Sequence, residues 1–136
     1  MKPLFKRAAL CAAVVAGLYF CLFDTTPHGT DCEKSISPNG VYVAELCMVH
    51  WHSRSDSDYV GRLFDAKSGK KLAQHTFSTS EPELSWSPGI DYFPKDDDVL
   101  GHLPPSVSFS RGGDDDTGIW LPPSKWDRLL AARPHL

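Results

Sequence analysis

Ser37-Pro38-Asn39-Gly40-Val41-Tyr42-Val43-Ala44-Glu45-Leu46-Cys47-Met48-Val49 is the stretch whose reading decides the fold. Ser-Pro-Asn-Gly is turn chemistry: proline presets φ, and asparagine and glycine accept the conformations a reversal needs. Val41 to Val49 is apolar and β-branched on both alternating faces, which predicts a central strand covered on both sides. If the turn joins two strands through a four-residue loop, Cys32 and Cys47 become near cross-strand neighbours. A Cys32–Cys47 disulfide is therefore expected. Closing a loop of that length stabilises by about 3 kcal/mol in the chain-entropy model.

Further along, Trp51 to Asp58 is polar and reads as a loop. Tyr59 to Phe64 and Lys71 to Phe77 read as a hairpin about the turn at Asp65 to Lys70. Leu84-Ser85-Trp86 alternates, Ser87-Pro88-Gly89 turns the chain, and Ile90 to Phe93 extends again. Pro94 to Pro105 is turn-rich and acidic. Ser106 to Ser110 has period two, and Thr117 to Leu121 is the strand after the loop Arg111 to Asp116. Pro122-Pro123 blocks further pairing. Ser124 then caps a short helix with Asp127 as its capping-box partner, Trp126, Leu129 and Leu130 on the buried face, and Pro134 as the stop. Trp86, Trp120 and Trp126 are expected in the core. The fold expected is mainly β: a compact antiparallel sandwich or half-barrel of six to seven short strands, with an N-terminal transmembrane or signal helix and a short C-terminal helix. Eleven prolines and ten glycines favour such short elements.

Upstream, Ala8 to Phe23 contains neither charge nor proline, and Lys2, Lys6 and Arg7 precede it. This is the layout of an export signal. As a helix its sixteen residues span roughly 24 Å, at the short end for crossing a bilayer. Bulky Tyr19 to Phe23 replaces the small residues of a cleavage site, which favours a signal anchor over a cleaved signal peptide. Residues 1–23 are thus read as the signal anchor or signal peptide, 24–31 as a flexible tether, and 32–136 as a β-rich periplasmic domain. The basic flank stays cytoplasmic, which places the protein at the inner membrane with its C-terminal domain in the periplasm. There a lone pair of thiols oxidises.

All 17 acidic residues and 11 of the 14 basic ones follow the apolar run, so that part carries a formal charge of −6. Nucleic acid and anionic lipid are disfavoured as its ligands, because both are bound mainly by Lys and Arg. A basic protein suits the charge better. Two acidic runs, Asp96, Asp97, Asp98 and Asp114, Asp115, Asp116, are candidate interface residues; neither has the spacing of a calcium loop. Trp51, in a polar loop, is the candidate interface anchor. His50 and His52 share one face of an extended segment and could grip a metal, but the sequence fixes no third ligand. They are read as surface histidines, with no metal or cofactor assigned. No nucleophile motif and no phosphate-binding glycine motif is present, so no enzyme is expected and no catalytic residue is assigned.

SPNGVYVAELC, VGRLFDAKSGKKLAQ, LSWS and GIWLPP occur in this order. The first two resemble a β-propeller blade, but the unit does not repeat, and a propeller needs several. The series, over Cys32 to Pro123, resembles small bacterial envelope proteins of the kind that act as immunity proteins against type VI secretion lipase effectors. That family often carries a lipoprotein cysteine; the box is missing here. The resemblance implies a non-catalytic periplasmic binding protein that neutralises a secreted, lipase-type toxin by direct contact. An envelope structural or assembly accessory protein is the alternative. A metal-dependent enzyme using His50 and His52 is the second alternative.

Overall fold

The computed structural model describes residues 2–92, 101–111 and 117–135. It divides into two compact units, Met1–Thr26 with Arg133–Leu136, and Pro27–Ala132.

In the first unit, helix α1 runs from Lys2–Leu22. Its side chains Leu10, Val14, Val15, Leu18, Phe20 and Leu22 are all exposed. Among the described residues no helix is long and apolar enough to cross a membrane. The helix expected at the N-terminus is present, but the transmembrane reading of it is not supported. Its apolar run reaches about 24 Å against a hydrocarbon layer of about 30 Å. Beyond the helix the chain is tied to the C-terminal tail. The Asp24 backbone N–H donates to the Pro134 carbonyl at 2.9 Å, and His135 Nε2 donates to the Thr26 carbonyl at 2.8 Å.

The second unit is mainly β and antiparallel. Strands β1 (Thr30–Ile36), β2 (Tyr42–His50), β3 (Ser57–Asp65) and β4 (Lys71–Thr79) form one sheet in that order. Strands β5 (Pro82–Ser87), β8 (Ser106–Ser110) and β9 (Gly118–Trp120) form a second, and β6 (Ile90–Tyr92) pairs with β7 (Gly101–Leu103). Nine strands lie among the described residues, more than the six to seven expected, partly because β7 forms inside the stretch read as turns. The sheets are open and do not close into a barrel.

The turn at Ser37 forms as its residues predict. Ser37 Oγ accepts from the Tyr42 backbone N–H, and Asn39 Oδ1 accepts from Val41 N–H. This sets the register Ile36↔Val43 and Lys34↔Glu45. Carried on, that register brings Cys32 opposite Cys47, and the expected disulfide is present, with Cα atoms 4.1 Å apart. β2 is central, as expected.

Alternation along β2, β3 and β4 sorts side chains between two faces. Ala44, Leu46, Leu63 and Ala73 point to one core shared with Val107, Phe109, Ile119 and Leu121 of the second sheet region. Phe109 lies directly over Gly61, where an added Cβ would come within 2.5 Å of its ring. Only glycine lets the two sheets approach so closely. Trp86 packs at the rim of this core and donates through Nε1 to Ser35 Oγ at 2.9 Å. Trp120 and Trp126 depart from expectation: both are exposed.

Helix α2 (Lys125–Ala131) starts on the expected capping box. Ser124 Oγ accepts from Asp127 N–H, and Asp127 Oδ2 accepts from Ser124 N–H. Its buried face is not the one expected, since Leu129 is exposed along with Trp126 while Ala131 is buried. Asp127 faces His75 on β4 at 3.5 Å, and Leu130 and Ala131 lie on the less exposed side with it.

Partial burial raises the Asp127 pKa, but hydrogen bonds from Ser124 and the His75 ring outweigh it, so the carboxyl titrates below its usual 3.8. A depressed carboxylate pKa contributes stability above the ordinary value and loses it as pH falls through the folded value. Urea unfolding of wild type and Asp127→Asn should therefore differ at pH 6, and the difference should shrink as pH drops below about 3.8.

Candidate interaction surface

On the other face of the four-stranded sheet, Arg62 is a buried cation. Glu45 and Gln74 are its direct cross-strand neighbours on β2 and β4. Its Nε donates to Gln74 Oε1 at 2.9 Å, and Nη1 to Glu45 Oε1 at 3.2 Å. Nη1 also donates to the His28 carbonyl and Nη2 to the Pro27 carbonyl, both at 2.8 Å. Lys34 closes the row on Glu45 at 3.1 Å. The segment read as a flexible tether is thus bound at two carbonyls. Gly29 follows with φ +78°, and a Cβ there would come within 2.8 Å of Cys47 Cβ. The backbone lies that close to the disulfide because glycine permits it.

Cys32, Glu45 and Cys47 offer three donor atoms within 4.8 Å of one another. Both sulfurs are spent in the disulfide, so neither is a thiolate able to bind a metal. The Arg62 guanidinium, 3.6 Å from Cys47 Sγ, would repel a cation as well. This cluster is structural.

The β2–β3 connection carries Trp51, which is 66% exposed. It is held at both ends. His52 N–H donates to Ser57 Oγ at 3.0 Å, and the His52 ring meets Asp58 at 3.2 Å. A β-bulge between Met48 and His50 shifts the register so that His50 pairs with Asp58. The His50 and His52 rings end 4.6 Å apart. Ser78 on β4 donates to Asp58 Oδ1 at 2.5 Å. That bond, with His52 and more distantly His50, holds the Asp58 carboxyl below its ordinary pKa.

A groove of about 410 Å³ is lined by Pro38, Tyr42, Trp86, Pro88, Pro105 and Pro122, among others. Its lining carries no charged side chain, so it can hold an apolar group and offers no acid–base pair.

Of the residues expected at an interface, the structure places Trp51 at the surface. Asp96, Asp97, Asp98, Asp114, Asp115 and Asp116 lie outside the described residues. Asp58 and Arg62 were missed by the sequence reading. Arg62 had a visible signal, a lone charge inside an otherwise apolar strand. Asp58 had none, because it was read as loop. No family model, curated protein or solved structure matches this chain.

Replacing Arg62 with Leu should lower stability by about 3 kcal/mol, the low end for removing one partner of a buried ion pair, since Glu45 keeps Lys34. Urea denaturation measures this. Glu45→Gln should cost less, because the two carbonyls still hold the guanidinium.

Proposed function

We propose that this chain is a non-catalytic binding protein of the cell envelope that, from the periplasmic side of the inner membrane, neutralises a secreted toxin by direct contact. The observation that carries the reading is Trp51: a large aromatic, two-thirds exposed, on a loop fixed by hydrogen bonds at both ends. Burying a preorganised tryptophan in a partner's pocket releases much apolar surface from water at little entropic cost, which is how interface anchors work.

Three further features support it. The formal charge of −6 beyond the apolar run favours a basic partner. The Cys32–Cys47 disulfide suits an oxidising compartment. Ala8 to Phe23 carries neither charge nor proline and follows Lys2, Lys6 and Arg7, the layout of an export signal. An export signal needs only about 7–15 apolar residues, so export does not require helix α1 to cross the bilayer unaided. The resemblance to immunity proteins against lipase effectors names the class of toxin.

The test uses the full-length chain in mild detergent as bait. It should retain a stoichiometric protein that is toxic when sent to the periplasm of cells lacking the chain. Trp51→Ala should weaken that complex at least tenfold and abolish protection, with the circular dichroism unchanged. Full protection by Trp51→Ala, or no effect of the chain on survival, would overturn the proposal.

A further inference from the structure

The geometry points to a zinc-binding site formed by His50, His52 and Asp58 at the base of the Trp51 loop. Two imidazoles and one carboxylate are a donor set that zinc takes, with a fourth position left to water or another ligand. The fold supplies the third donor that neighbouring histidines alone lack. Asp58 faces His50 across the β2–β3 ladder because of the bulge between Met48 and His50.

His52 Nε2 and Asp58 Oδ2 stand 3.2 Å apart. Two ligands on a tetrahedral ion with bonds of about 2.1 Å are separated by about 3.4 Å, so the spacing of this pair suits zinc; the imidazole must swing off the line of their hydrogen bond to aim its lone pair at the ion, and zinc replaces the proton they share. His50 must move further. Among the described residues only Cys32, Glu45 and Cys47 already hold three donors within 4.8 Å. The His50 side chain is exposed, and its ring centre lies 4.6 Å from that of His52, so the proposal requires its ring to rotate toward the ion and leaves it room in solvent to do so. The Ser78 hydroxyl on Asp58 Oδ1 leaves Oδ2 directed at the site. Hydrogen bonds of this kind orient metal ligands and strengthen binding. Zinc would join the strand end at His50 to the loop at His52 and hold Trp51 between them.

The full-length chain, freed of metal in detergent, should bind one zinc ion by calorimetry at pH 7.5. His50→Ala, His52→Ala and Asp58→Asn should each weaken binding at least tenfold, with the circular dichroism unchanged. Copper(II) serves as an optical probe: it should quench tryptophan emission at one equivalent, and Trp51→Phe should remove most of that quenching. Equal zinc affinity in wild type and all three variants, or no binding by the wild type, overturns the proposal. Either result is independent of whether a toxin is captured.

Discussion

The guanidinium of Arg62 is the constraint on which the four-stranded sheet and the segment entering it depend. A cation beneath the surface of a sheet costs several kcal/mol unless its donors are met. Here they are met by oxygens from Gln74, Glu45, Pro27 and His28. Two of these belong to strands on either side of it, and two to the segment before β1. The arginine therefore both joins the middle of the sheet and fixes where the chain enters it. The disulfide secures the same region covalently, and Gly29 lets the backbone pass over it. Among the described residues no buried side-chain polar atom lacks a partner.

The two faces of the sheet divide the work. One meets the second sheet through Ala44, Leu63, Ala73 and Phe109 and supplies the apolar core. The other carries the polar network about Arg62. The strand ends are a third region, distinct from both faces. There the β2–β3 connection presents Trp51 on a base built from His50, His52, Asp58 and Ser78. A loop anchored to three strands can present an aromatic side chain without ordering it anew for each encounter, which lowers the entropic cost of binding.

How much of this was legible depends on the range of the interaction. The Cys32–Cys47 bridge followed from the length of one turn, because strand pairing is periodic and turn length sets the register. The capping box at Ser124 was equally local. The buried side of α2 was not. A seven-residue helix offers two plausible apolar stripes, and the choice between them lies in its packing on β4, where Asp127 meets His75, 52 positions away. Trp126 and Leu129 were misplaced for that reason. Arg62 was visible as a charge in an apolar strand, but its carbonyl partners could not be foreseen in a segment that reads as a tether. The third member of the histidine cluster was hidden by a bulge and by β3 beginning at Ser57 instead of Tyr59.

The proposed envelope role requires the domain to complete its fold in an oxidising compartment, with the disulfide beside Arg62 closed. The most direct measurement is to trap thiols with a membrane-permeant alkylating reagent in intact cells, then count tags on the denatured, unreduced full-length chain by mass spectrometry. The account predicts labels at Cys11 and Cys21 alone, with Cys32 and Cys47 still joined. Four labels on a chain recovered from the cytosol would contradict it.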